Sequence, residues 1–357
     1  MGFNLVLLLT NDFGHFFLST YVSVLILYQN AVIVVSLGLI VSTIINVSLL
    51  VILCIGFTFT YMMEKFPNFA HTSYASLGTM VTYYLVKFYG FNPYYTWPIS
   101  AVLGGLLGAI LYVLIVKPIK DRAFSEITLT FTFYIISQII TQGLAIFSYW
   151  LLVDNRIQSQ GFNLYNYDFR VNGVPAIAII APLTVFGVVV ALQSFLKLSK
   201  HGIAMRATTE DEGLSMSLGV NVRLVHIFSW FISGALAALA GSIISMWLST
   251  SVNFSDTLLI NVMAASVLGG LGSITGAIIG GFLTAISTKA IIWMLMTHVG
   301  VNMGVYEGLI PIIFLFIILA IEPNGLIAIN PQKISITGFR DAWIRFKRSM
   351  KNVITSE

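Results

Sequence analysis

Charge is what this sequence has least of. Its 18 Lys and Arg and 14 Asp and Glu make up 9% of 357 residues, where a soluble domain carries roughly 25%. The length would accommodate two or three soluble domains, but several windows of about twenty residues are almost free of charge, as a bilayer span requires. Cysteine is nearly absent too: Cys54 stands alone, which excludes an intrachain disulfide. The start lacks basic residues and runs at once into a long apolar stretch, which argues against a cleaved signal peptide. No GxxxxGK[ST] occurs, so the chain does not hold ATP in a P-loop. No HExxH and no Cys/His cluster occurs, which removes the common metal hydrolases. His15, His71, His201, His226 and His298 are scattered, and no Ser/His or paired-Asp arrangement supports an intramembrane protease.

What is present in quantity is apolar text: 57% of residues, with mean hydropathy +0.92. The apolar runs place spans at about 16–38, 43–63, 70–89, 95–116, 124–148, 174–196, 224–248, 257–271, 275–296 and 305–321. The run at 257–271 is short and reads as re-entrant. The fold class expected is an all-α polytopic membrane protein of roughly 8–10 transmembrane or re-entrant helices.

The basic residues orient it. Lys117, Lys120 and Arg122 form one cluster, and Lys197, Lys200, Arg206 and Arg223 a second. Lys333, Arg340, Arg345, Lys347, Arg348 and Lys351 form the third. Positive-inside reasoning puts all three, with Lys65, on the cytoplasmic side of a cell membrane, and the number of spans between them agrees. Both termini are then cytoplasmic. The loop 149–173 faces outside, with Tyr149 and Trp150 as interface anchors, and is either packed on the bundle or open to an external partner. In the tail 331–357, Phe339, Trp343, Phe346 and Met350 share a helical face among basic residues, the pattern of an interfacial helix on anionic lipid rather than a nucleic-acid binder.

Glycine spacing predicts close helix contacts. Gly272, Gly276 and Gly280 recur every four residues beside Gly269 and Gly270, and Gly234, Ala238 and Ser242 do the same. The echo of "VLGGLLGAI" at 102–110 in "VLGGLGSITGAI" at 267–278 hints at two related halves. Of the ionisable residues near apolar text (Glu64, Glu126, Asp256, Lys289, Glu307, Glu322), only Lys289 lies well inside a span. No buried carboxylate presents itself, which counts against a proton- or sodium-driven carrier.

Between 197 and 223 the text turns polar, in "HGIAMRATTEDEGLSMSLGV". Thr208 or Thr209 precedes Glu210, Asp211 and Glu212 as a helix cap precedes acids of the first turn, and Gly219 suits the helix end.

Four stretches resemble the permeases for branched-chain amino acids in ABC importers, nearer the LivH-like partner than the LivM-like one. They are "FPNFAHTSYASLGTMVTYYL", "KPIKDRAFSEITLTFTFYIISQ", "GIAMRATTEDEGLSMSLGVNVRLVHIFSWFISGALAALAG" and "VLGGLGSITGAIIGG", with "EPNGLIAI" near the end. Thr72 replaces a common glycine, and Gly78-Thr79-Met80 stands for the usual Gly-Ala-Tyr. The resemblance implies a permease domain over 41–330, an extra membrane segment over 1–40 and the basic tail over 331–357. It implies a cytoplasmic coupling helix in which Gly202, Ala204, Arg206, Ala207, Glu210, Gly213, Leu218 and Gly219 meet an ATPase. The chain itself is then no enzyme and holds no cofactor. ATP and Mg belong to two separate ATP-binding subunits, and a second related permease and an extracytoplasmic binding protein complete the set. Asn68, His71, Thr72 and Ser73 bring polar groups next to spans and are the candidate solute path, although ordinary interhelical hydrogen bonds explain them equally. Leucine, isoleucine or valine is the expected solute, with urea or short amides as alternatives. A facilitative channel or a membrane scaffold is the alternative of another class.

Overall fold

The computed structural model describes residues 38–122, 125–321, 325 and 326. The expected span at 16–38 (save its last residue), most of the 1–40 segment, Glu322 and the tail 331–357 lie outside the described residues. The chain divides into two units, Met1–Ile44 and Ile45–Glu357. The first is described only from Gly38, as helix, with the Thr43 hydroxyl donating to the Leu39 carbonyl at 2.8 Å. The second holds the rest.

The described elements are α1 (Gly38–Glu64), α2 (His71–Tyr89), α3 (Pro93–Leu111), α4 (Lys117–Asp121), α5 (Glu126–Asn155), a two-residue hairpin β1 (Arg170–Val171) and β2 (Val174–Pro175), α6 (Ile177–Leu198), α7 (Lys200–Glu210), α8 (Glu212–Ser217), α9 (Val222–Ser245), α10 (Phe254–Gly269), α11 (Ile274–His298) and α12 (Leu309–Ile321). Helix ends follow local chemistry. Asn92 accepts from the Tyr94 amide and Pro93 opens α3, its missing N–H costing nothing there. Ser125 caps α5, and Gly90, at φ 69°, closes α2 in the left-handed conformation. A π-turn, Tyr112–Val116, joins α3 to α4, where the Lys117 amide bonds the Tyr112 carbonyl just before Pro118 removes a donor.

Six described helices are long and apolar enough to cross a membrane: α1, α3 with its extension to Asp121, α5, α6, α9 and α11. A hydrocarbon core of about 30 Å needs about 20 residues at 1.5 Å each. The 16 residues of α10 and 13 of α12 fall short of that, as expected for the former. The helix α2 has the expected bounds but a polar text, with His71, Thr72, Ser73, Ser76, Thr79 and Thr82 all buried. It tolerates them because neighbouring helices, not lipid, surround it.

The core is the crossing of α9 with α2 and α3. A Cβ on Gly78 would overlap the Ala238 carbonyl, one on Gly104 the Ala238 methyl, and Gly104 and Gly234 face each other's carbonyls. The small-residue pattern at Gly234, Ala238 and Ser242 is therefore the packing face, and the Ser242 hydroxyl also meets Gly78 and Ser100. The second strip differs from expectation. Gly272 lies in the turn before α11, where an added Cβ would meet nothing within 4 Å. The close contact is made by Gly269 of α10 against Gly276 and Gly280 of α11, while Gly270 takes φ 106° in the turn and Ser273 caps α11. The sequence echo is not a local structural repeat: 102–110 is unbroken helix, whereas 267–278 is helix, turn and helix.

Ion pairing corrects the reading of the carboxylates. Lys289 pairs with Glu307 at 2.6 Å, so the cation inside a span is not alone. Glu64 is wholly buried, so the chain does hold a buried carboxylate where none was expected.

The two ends of the bundle are distinct. At one, Lys65 Nζ reaches the Thr209 carbonyl at 3.5 Å, and Lys120 reaches Glu64. Thus Lys65, the 117–122 cluster and the 197–223 segment share an end, as their charge predicted. At the other, the loop 156–176 packs on the bundle: Tyr83 stacks on Phe162 and donates to the Gln158 carbonyl, Tyr94 donates to Asp168 at 2.5 Å, and Phe162 pairs with Thr250. Tyr149 and Trp150 belong to the last turns of α5, which runs past its expected end, and both are exposed.

Candidate functional site

The polar segment after α6 folds as two short helices. Ser199 ends α6 and caps α7, its hydroxyl accepting from the Gly202 amide at 2.9 Å. Gly202 sits so close under α6 that a Cβ would overlap the Phe195 carbonyl. Its role is thus the sharp turn from α6 into α7 rather than an outward contact. Thr208 and Thr209 do not cap a helix; they lie in the last turn of α7, with the Thr208 hydroxyl donating back to the Ala204 carbonyl. Asp211 is the cap, accepting from the Leu214 amide at 2.8 Å, and Glu212 occupies the first turn of α8. The threonines lose because a β-branched hydroxyl inside a helix can bond the carbonyl four residues back. Gly219, at φ 84°, follows the end of α8 as expected, and the Val220 amide closes the turn on the Ser215 carbonyl.

Of the expected coupling residues, Arg206, Glu210, Gly213, Leu218 and Gly219 are exposed, and Ala204 and Ala207 are half-buried in α7. Arg206 makes no ion pair among the described residues. The same segment exposes the apolar side chains Ile203, Leu214, Met216 and Leu218. Sequence named only Leu218 of these, although apolar residues inside charged text were the available signal.

Behind α8 lies a buried polar cluster. Glu64 Oε1 accepts from His226 Nδ1 at 2.7 Å and from Trp230 Nε1 at 2.8 Å, and Oε2 faces Lys120 Nζ at 2.5 Å. His226 Nε2 lies 3.5 Å from Glu212. Trp230 packs with Phe66, Tyr112 and Phe133. Sequence reasoning missed this cluster. The signal was present in part: His226 and Trp230 are four residues apart, hence on one face of α9.

Asn68, His71, Thr72 and Ser73 do come together, at the start of α2, and all are buried. The Asn68 carboxamide oxygen accepts from the Ala70 amide at 3.0 Å and turns the chain into α2. The Leu53 carbonyl can only accept, so His71 Nε2, 3.1 Å away, donates to it, while Nδ1 faces the Ser233 hydroxyl at 3.1 Å. Ser73 bonds Ser137 of α5 at 2.8 Å. These residues tie α1, α2, α5 and α9 together. An apolar groove of about 340 Å³ lies elsewhere, between α2, α3 and α5, with Leu77, Met80, Tyr84, Leu103 and Phe147 in its walls.

Comparison with known proteins agrees with this architecture. Residues 39–319 match the family described as branched-chain amino acid transport system, permease component. The "Probable branched-chain amino acid transport permease protein LivH" of Methanocaldococcus jannaschii is 34% identical over 289 residues, 80% of this chain and 91% of that protein. The "High-affinity branched-chain amino acid transport system permease protein LivH" of Escherichia coli K12 is 23% identical over 291 residues, covering 77% and 90%. The "Tyrosine transport system permease protein" of Clostridioides difficile is 23% identical over 297 residues, covering 80% and 90%. Permeases of this family work with ATPase and substrate-binding partners in ABC import systems. With a match over most of its length and a multi-pass helical fold, the chain belongs to the branched-chain amino acid permease family and is a non-catalytic, membrane-spanning transport subunit.

Proposed function

We propose that this chain carries leucine, isoleucine or valine across the membrane, driven by a pair of ATP-binding subunits docked on α7 and α8. One chain offers one such surface, so two permeases, this chain and a related one, face the two ATPases. An extracytoplasmic binding protein delivers the solute to the opposite end, against the loop 156–176. The α7–α8 end then faces the cytoplasm, with Lys65 and Lys120 beside it.

The observation that carries this reading is the set of exposed side chains along α7, α8 and the turn after it: apolar Ile203, Leu214, Met216 and Leu218, and Arg206, which makes no ion pair among the described residues. Apolar knobs supply burial and a guanidinium supplies a planar, bidentate contact to a carboxylate of the partner. Arg206→Glu is expected to abolish most ATP-driven uptake in vesicles while the purified chain keeps its melting temperature. Arg206→Lys retains charge but not the fork, and falls between wild type and Glu. Wild-type uptake by Arg206→Glu would remove Arg206 from the coupling contact, and a silent Lys variant would reassign it to lipid phosphates.

The assignment of the solute rests on the family and on the 34% identical relative. A second reading, tyrosine, is favoured by the relative of that name over a similar share of the chain. Asn68, His71, Thr72 and Ser73 support a packing role better than a solute-lining one in this conformation, because they are closed in by α1, α5 and α9. Calorimetry on the cognate binding protein separates the solutes: heat with leucine or isoleucine and none with tyrosine, urea or acetamide is the expected result.

A further inference from the structure

The Glu64 cluster lies behind α8, and its centre is closed to a docked protein: the Glu64 and His226 side chains are 0% and 2% exposed. Stability gives no reason for such a cluster. A buried carboxylate loses hydration that the attraction of a neighbouring cation barely restores, and apolar residues of the same size serve stability as well or better. Connectivity gives a reason. Glu64 ends α1, Lys120 lies on α4, and His226 and Trp230 lie on α9. The outward nitrogen of His226 meets Glu212 in the first turn of α8.

The two links of His226 are unequal. Toward Glu64 it makes a 2.7 Å hydrogen bond in the dry interior. Toward Glu212 it has a 3.5 Å contact, no hydrogen bond, and a partner that is 49% exposed. The inner link is stiff and the outer one is breakable. Tyr112 stacks on the imidazole with centroids 5.5 Å apart and planes 5° from parallel, so the ring is held against tilting. Tyr112 also opens the π-turn that precedes α4 and Lys120, and such turns are places where a helix can shift register. A second tie runs from the same corner. Lys65, at φ 62° and so in a conformation unusual for a non-glycine residue, reaches the Thr209 carbonyl near the end of α7.

We propose that Glu212, His226 and Glu64 form a mechanical link that transmits movement of α8 to the ends of α1, α4 and α9. This rests on the reading of α7 and α8 as the ATPase-docking surface. Glu64 and His226 are positioning residues in it. Displacement of α8 makes or breaks the Glu212 contact, and His226 carries the displacement to a carboxylate that cannot surrender a donor without leaving a buried charge short of partners. The helices holding those donors therefore move together. This supplies what an exposed docking patch lacks, a polar connection from the moving surface into the membrane domain.

The test uses the complete complex, with ATPases and binding protein, in proteoliposomes. Glu212→Gln and Glu64→Gln each keep side-chain shape and remove one charge, and Glu212→Asp restores the charge on a shorter stem. The quantities read are ATPase retained through purification and leucine transported per ATP hydrolysed. Both Gln variants are expected to retain ATPase like wild type and to hydrolyse ATP, while leucine moved per ATP falls several-fold and Glu212→Asp recovers part of the loss. If Glu64→Gln fails to fold, the half-exposed Glu212 decides alone. A wild-type transport ratio in Glu212→Gln overturns the link, and loss of ATPase from that variant also overturns it, by making Glu212 a docking contact. A wild-type chain that retains no ATPase would instead sink the docking reading beneath the proposal, a result distinguishable from either.

Discussion

Gly241→Val leaves no correctly folded protein. The α-carbon of Gly241 lies so close to α2 that an added Cβ would overlap the Ala75 carbonyl oxygen and stand 2.6 Å from its carbon. The obstructing atoms are backbone, so no rotamer change relieves the overlap. The Thr79 hydroxyl lies 2.9 Å from the Ala75 carbonyl and 3.1 Å from that of Gly241, and Ser242 bonds Gly78 at the same crossing. Parting the helices breaks this set. Overpacking costs about 1–3 kcal/mol even where side chains yield, and each lost hydrogen bond adds about 1 kcal/mol. Together these approach the total stability of many proteins, about 5–15 kcal/mol. Gly187 of α6 is the control, because nothing lies within 4 Å of its added Cβ. In detergent, Gly187→Val is expected to elute and melt as wild type does, and Gly241→Val to be lost to aggregate. Equal melting of the two would show that α2 and α9 do not cross as described.

The second large effect is at Trp230. It is fully buried, with the Phe133 ring 4.9 Å away and its indole nitrogen donating to Glu64. Truncation to alanine removes the centre of the cluster formed with Phe66, Tyr112, Leu129 and Phe133, and loss of a buried Trp costs about 3–5 kcal/mol. Trp230→Phe keeps most of the ring packing and removes the donor, for about 1–3 kcal/mol. His226 and Lys120 still serve Glu64 in that variant, which places it at the lower end. Denaturant unfolding of both variants in one detergent checks the order. Near-equal losses would mean that the hydrogen bond, not the packing, carries Trp230.

Much of this architecture was legible in the residues. Long apolar text marked α1, α3, α5, α6, α9 and α11 because lipid selects composition directly, and Gly90, Asn92 and Pro93 mark a helix end and the next beginning by backbone chemistry alone. The polar segment at 197–223 and its closing Gly219 were visible for the same reasons. Three features were not. Cap choice between Thr208, Thr209 and Asp211 depends on where α7 ends, which the turn at Gly202 under α6 decides. Gly272 matches a four-residue period that the turn at 270–273 interrupts, so the period counted residues on two different helices. Glu64 reads as a span-end carboxylate because its three partners come from positions 120, 226 and 230. A sequence records that these residues exist and not that the fold brings them together.

The most direct test of the whole account is uptake of labelled leucine by proteoliposomes containing this chain, its partner permease and the ATPases, with the binding protein supplied on the binding-protein side and Mg-ATP on the α7–α8 side. Uptake against a gradient that requires ATP, and that stops when the ATPases are omitted, is the predicted result. Downhill leucine flux by this chain alone, unchanged by ATP or the ATPases, would contradict it and make the protein a channel.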